Sequence, residues 1–148
     1  MNGGEVMIHC RRATIQDGEV MSQLSHQLGY VSTTEEIKER LTRLSSLPDH
    51  YVCVAEIDSR VVGWGHVQGR HSIESPSFAE IGGLVVDGIH QGMGIGKIIM
   101  SECEEWARVN GFDNIRVRCN GKRESAHRFY IAIGYEEKKW QKVFDKRL

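Results

Sequence analysis

Three glycines at alternate positions, Gly92, Gly94 and Gly96, lie within Gln91-Gly-Met-Gly-Ile-Gly-Lys97. Before them runs Glu80-Ile-Gly-Gly-Leu-Val-Val-Asp87, apolar and β-branched, which reads as a strand buried on both faces. After them, Ile95, Ile99, Cys103, Trp106 and Ala107 recur on one face at helical spacing, opposite Lys97, Ser101, Glu104, Glu105 and Arg108. A strand feeding a glycine turn that opens a helix leaves main-chain N–H groups unpaired and aimed outward. The helix dipole favours negative charge at the same point. Glycine lets the main chain approach an oxyanion with no Cβ in the way. The chemistry expected here is the binding of a pyrophosphate.

Spacing separates the phosphate loops that could be meant. A Walker A loop needs Gly-x-x-x-x-Gly-Lys-Ser/Thr, but Gln91 occupies its first glycine position and Ile98 follows Lys97. A dinucleotide fingerprint needs Gly-x-Gly-x-x-Gly, which would place glycine at Lys97 or at Ile99. What fits is Gln/Arg-x-x-Gly-x-Gly/Ala, met by Gln91, Gly94 and Gly96 behind Leu-Val-Val-Asp. This resembles the acetyl-coenzyme A loop of the GNAT superfamily of N-acetyltransferases. A second segment, Arg123-Glu-Ser-Ala-His-Arg-Phe-Tyr130 followed by Gly134-Tyr135, resembles that superfamily's Ala-x-x-Phe-Tyr-x-x-x-Gly-Phe/Tyr. The variant is most similar to enzymes that acetylate aminoalkylphosphonates or aminoglycosides.

The resemblance implies an assignment of roles. The amides of Gln91, Gly92, Met93, Gly94, Ile95, Gly96 and Lys97 would bind the diphosphate. The backbone of Leu84, Val85 and Val86 would pair with the pantetheine arm as an added strand would. Tyr130 would stand by the sulfur as general acid. A thiol's reference pKa of ~8.5 lies below a phenol's ~10, so the phenol is protonated at neutral pH and able to donate. Arg123 stands where the family often has asparagine, and Asn120 nearby would take over its pantetheine contact. Many members carry a glutamate in the central strand where this chain has Gly82. Glu80, two residues earlier on the same face, is the candidate base or water-positioner. Gly88 replaces the usual proline after the strand's aspartate.

The implied function is transfer of an acetyl group from acetyl-coenzyme A to a primary amine of a small molecule, by direct attack in a ternary complex. No cysteine lies in a motif suited to a covalent intermediate. Two alternatives stand beside it. One is a non-catalytic acetyl-coenzyme A-binding regulatory module, motivated by the missing carboxylate at Gly82. The other is a protein N-acetyltransferase, ranked lower because no extra peptide-docking segment is evident.

The elements that must position these groups follow from periodicity and caps. Met7 to Arg12 forms a first strand. Thr14 caps a helix carrying Met21, Leu24 and Leu28 and stopping at Gly29; Thr33 and Glu36 form a capping box for a second, with Ile37, Leu41 and Leu44 inward. Glu35, Glu36 and Glu39 make its start acidic. Tyr51 to Ile57 and Val61 to Val67 pair across Asp58-Ser59-Arg60. Gly63 and Gly65 bare one face of that second strand, for a bulge or for something packed on the backbone. Gln68 to Ser77 forms a polar, mobile loop. Asn114 to Cys119 is a short strand, Glu124 to Ile133 a helix with Ala126, Phe129, Tyr130 and Ile133 in one stripe. Tyr135 to Asp145 supplies one bent or two short final strands. The fold class is mixed α/β (α+β): a GNAT-like single domain with a central mixed, mostly antiparallel sheet flanked by about four helices. Residues 1–6 read as a flexible tail and residues 7–148 as one N-acetyltransferase domain.

Composition limits the partners. The chain has 148 residues, 40% hydrophobic and 26% charged, the balance of a soluble globule. A formal net charge of −1 supports no nucleic-acid or membrane surface, and no apolar run is long enough for a bilayer. Cys10, Cys53, Cys103 and Cys119 lack zinc or redox spacing and read as reduced, buried thiols of a cytoplasmic protein. The seven histidines show no metal-ligand pairing, and His66 and His71 read as surface residues; no metal is expected. Trp140 and Phe144 offer a contact for a homodimer.

Overall fold

The architecture was taken from a computed structural model that describes residues 6–119 and 124–148. The expectations for residues 1–5 and for Asn120 and Arg123 fall outside the described residues. Five strands form one sheet in chain order: β1 (Ile8–Arg12), β2 (His50–Ile57), β3 (Arg60–Arg70), β4 (Phe78–Val86) and β5 (Ile115–Val117). The first four are antiparallel, and β5 runs parallel to β4. The hairpin between β2 and β3 turns at Asp58 and Ser59, both at positive φ (50° and 64°), the twist a short hairpin needs.

Helices α1 (Gly18–His26) and α2 (Thr34–Ser45) cover one face, where Met21 and Leu41 pack with Val52 and Val54. Both starts are capped as their sequences predict. The Thr14 N–H donates to Asp17 at 2.7 Å at the 3-10 turn ahead of α1. Thr33 and Glu36 exchange bonds of 2.8 and 3.1 Å at α2. Arg11 joins Asp17 to Glu56 and so ties α1's entry to the sheet.

The opposite face belongs to α3 (Ile95–Val109), whose Ile95, Ile99, Met100, Cys103 and Ala107 are buried. It rests on bare backbone. A Cβ at Gly65 would stand 2.4 Å from Ile99 Cγ2, and one at Gly63 3.0 Å from Ile99 Cδ1. The two glycines therefore admit a helix, and a bulge also lies beside Gly63, where Ala55 pairs with Gly63 but Glu56 with Val61. Gly65→Val is expected to destabilise the fold by about 3 kcal/mol, because α3 cannot retreat without uncovering Ile99 and Cys103. The urea midpoint checks this.

The chain forms two compact units, residues 1–117 and 118–148. The second contains α4 (Glu124–Ala132), closed by Gly134 at φ 102° with the Tyr135 N–H donating to Tyr130 O at 2.9 Å. Ala126, Phe129, Tyr130 and Ile133 are half-buried, as their stripe requires.

Three expectations are corrected. Residues 135–148 carry no strand, since the described part of their unit holds no strand to pair with, and Trp140, Val143 and Phe144 are largely exposed. Cys119 is exposed because β5 ends two residues before it, and Cys10 is half-buried; only Cys53 and Cys103 are core thiols. The loop after β3 is short, as β3 extends to Arg70. It is also pinned, with His71 bridging Asp49 Oδ2 and Ser77 Oγ at 2.7 Å each.

Candidate active site

β4 is flanked unequally. Along one edge it pairs with β3 from Phe78 to Val86. On the other, β5 meets only Ala79, Glu80 and Ile81, so among the described residues no strand flanks Gly82 to Val86. Leu84 and Val86 are half-buried and Val85 is core. That open edge leads through Asp87 into the glycine turn. Gly92 and Gly94 sit at φ 84° and 82°, where glycine alone is unstrained. Gly94 is the N-cap of α3 and brings no side chain to occupy the first-turn donors. The N–H groups of residues 92–97 find no acceptor among the described residues. Ile95 divides its roles, its side chain in the core and its amide at the turn, while Gln91, Met93 and Lys97 are exposed. These residues fit a diphosphate-bearing cofactor with an extended amide arm.

One positioning residue was missed from the sequence. Gln27, just past α1, accepts from the Gly88 N–H at 2.8 Å and donates to Asp87 Oδ1 at 3.2 Å. A proline at position 88 would lack that N–H, so Gly88 gains a brace where the family pattern has a rigid ring. Gln27→Ala is expected to raise the KM for acetyl-coenzyme A about fivefold, the value of one or two exposed hydrogen bonds, with little change in kcat. Steady-state kinetics with the cosubstrate varied checks it.

Gly82 and Gly83 form a bulge, since His66 pairs with Gly83 and Val67 with Ile81. Both therefore face the side covered by α1 and α2. A Cβ at Gly83 would stand 2.7 Å from the Trp64 ring, and one at Gly82 2.5 Å from His66 Nδ1. Trp64 is held by a 3.2 Å bond from its indole N–H to Ser25 Oγ. His66 is no surface histidine. Its Nε2 lies 3.0 Å from His50 Nδ1 with the rings stacked, and burial, then the neighbouring His50, pushes its imidazole down to about 4. Adjacent glycines inside a strand were the available signal.

Glu80 is buried at 6% exposure and pairs with Arg70 at 3.5 Å. The acidic start of α2 is largely occupied locally: Glu36 caps, and Glu39 pairs with Arg43 at 3.2 Å. In its own unit, Tyr130 packs edge-on against Phe129 and Tyr135, at 5.0 and 5.8 Å between ring centroids. His127 is half-buried.

A mixed sheet whose half-open strand runs into a helix start with unpaired amides fits a class, domains that lay a diphosphate-bearing cosubstrate along a strand. The profile of the acetyltransferase (GNAT) family matches residues 19–135, and the chain belongs to that family. It is an acyltransferase with acetyl-coenzyme A as cosubstrate. No curated protein sequence matches it significantly. Among solved structures, it is similar to the aminoglycoside N-acetyltransferase AAC(6')-Iy in complex with CoA, at TM-score 0.89 and 15% identity over 100% of both chains. The aminoglycoside 6'-N-acetyltransferase AAC(6')-Ih from Acinetobacter baumannii follows at TM-score 0.83 and 14% identity, covering 96% of this chain and 99% of that one. Glucosamine-6-phosphate N-acetyltransferase from Arabidopsis thaliana gives TM-score 0.79 and 23% identity over 94% and 99%. Among the described residues no helix is long and apolar enough to cross a membrane, and no His, Cys, Asp and Glu cluster suits a metal.

Proposed function

We propose that this chain transfers an acetyl group from acetyl-coenzyme A to a primary amine of a small molecule, by direct attack while both are bound, with residues 7–148 working as one transferase domain. The supporting observation is the edge of β4 from Gly82 to Val86, which among the described residues has no strand partner and leads into amides with no acceptor. Leu84 to Val86 then hold the arm through main-chain bonds, and the amides of Gln91 to Lys97 hold the diphosphate. Asn120 and Arg123 remain cofactor contacts on the motif alone. Tyr130 donates a proton to the departing thiolate. The core positions of Cys53 and Cys103 support direct attack over a cysteine intermediate, since their mutual hydrogen bond and then burial raise the Cys103 thiol far above the range of a nucleophile.

Amino sugars are the first acceptors to try. The neighbouring structures carry the names of aminoglycoside and glucosamine-6-phosphate acetyltransferases, one of them bound to a CoA-acetylneamine bisubstrate analogue. Thiol release from acetyl-coenzyme A, screened over aminoglycosides, aminophosphonates, polyamines and amino acids, tests the proposal. Amine-dependent release with at least one of them is expected. Stoichiometric cofactor binding with no release across the panel would overturn it in favour of a regulatory module, and release only with peptide amines would move the acceptor to proteins.

A further inference from the structure

An acceptor amine with a lysine-like pKa of ~10.4 is almost wholly protonated at neutral pH, yet only its neutral form attacks a thioester. Tyr130 serves the leaving sulfur, and Glu80 is engaged with Arg70. Beside Glu80, the ammonium proton has a second candidate acceptor on the same face of the sheet. Resting on the acetyl-transfer reading above, we propose that His66 takes this proton at Nδ1, over the bare backbone of Gly82, and passes charge through Nε2 to His50.

Position comes first. Gly82 begins the unpartnered edge of β4, and the stretch from Gly82 to Val86 spans roughly 13 Å at the rise of a strand. An arm held at the glycine turn and laid back along that edge brings its far end to Gly82. There the strand offers no side chain of its own, and Nδ1 of His66 lies 2.5 Å from where a Cβ would be. The glycine is thus what exposes the imidazole.

Access is the second argument. His66 Nδ1 makes no hydrogen bond with the described residues, whereas Nε2 faces His50. No fully buried side-chain nitrogen or oxygen among the described residues lacks a partner, so Nδ1 keeps contact with solvent. On this face His50 stands on β2, the Arg70–Glu80 pair crosses β3 and β4, Arg11 on β1 is paired with Asp17 and Glu56, and α1 presents the uncharged Ser25.

Proton bookkeeping is the third. A half-buried histidine held neutral is ready to accept but reluctant to keep the charge. The pair removes that difficulty. With the Nε2 hydrogen of His66 donated to His50 Nδ1, the ammonium proton arrives at His66 Nδ1 as the Nε2 proton leaves for His50. His66 ends neutral. His50, half-buried and with Nε2 unengaged among the described residues, discharges to water. The neutral amine forms its C–N bond as the C–S bond breaks and the electron pair goes to sulfur; the thiolate takes the Tyr130 proton, and the second amine proton, lost as the amide forms, returns through water to the phenolate.

The test uses the full chain with acetyl-coenzyme A and neamine. His66→Gln keeps an amide to face His50 but cannot relay a proton. Its kcat is expected to fall at least tenfold at pH 7 with cosubstrate affinity unchanged, and the loss to shrink as pH rises and free amine accumulates. His66→Ala should recover turnover in added imidazole. A loss that is equal at every pH and unmoved by imidazole would reduce the histidine to packing and overturn the proposal. Nitrogen-15 spectra of the imidazoles in the wild-type complex with acetyl-coenzyme A give an acceptor-independent reading. Unprotonated Nδ1 with protonated Nε2 on His66 supports the relay, and the opposite tautomer overturns it. Failure of wild-type protein to acetylate neamine would count against that acceptor, while the tautomer still decides the role of His66.

Discussion

Replacing Tyr130 with phenylalanine should lower kcat about a hundredfold or more while leaving acetyl-coenzyme A affinity within about twofold. The two halves of that expectation have separate physical causes. The phenylalanine ring preserves the edge-on contacts with Phe129 and Tyr135, and the C-terminal closure of α4 is made by main-chain atoms. The element therefore folds as before. What is lost is one proton donor, and its absence matters only when sulfur accumulates charge, so kcat and kcat/KM should fall together with KM nearly unchanged. Binding measured by calorimetry and turnover by thiol release separate the two. Turnover equal to wild type across the pH range would take Tyr130 out of the mechanism.

Local signals located most of this fold. Thr33 and Gly29 mark helix ends through a side-chain hydrogen bond and a positive φ, and Thr14 through the bond its N–H gives the Asp17 carboxylate three residues on. The stripe from Ile95 to Ala107 identified the buried face of α3 because helical periodicity is a local property. The glycine turn was legible for the same reason. Cross-strand facts were not. His66 reads as a polar residue on a half-buried strand, and only residues of other strands, Gly82 on β4 and His50 on β2, determine what its ring meets. Gln27 is 61 residues from the Gly88 amide it accepts from, so no window of sequence could join them. The expected C-terminal strands rested on one segment alone, but pairing is a property of two segments, and one segment cannot supply the second.

Gly94→Asp should weaken acetyl-coenzyme A binding roughly 150-fold, the equivalent of about 3 kcal/mol from two charge-assisted hydrogen bonds. The substitution is chosen so that the fold survives. Nothing lies within 4 Å of a Cβ at position 94, and aspartate tolerates φ 82° better than most residues, at a cost of about 1–2 kcal/mol. Its carboxylate would also cap α3, recovering about 1 kcal/mol of that cost. The same bonds that repair the helix start consume the N–H groups a diphosphate needs, and the added charge repels it. Apo-protein melting should therefore stay within a few degrees of wild type, while the rise in Tm on adding acetyl-coenzyme A disappears. Gly94→Ala separates the causes: it carries the backbone strain without a competing acceptor, so its affinity should lie between the two. Wild-type affinity in Gly94→Asp would mean that the diphosphate is held somewhere other than the start of α3.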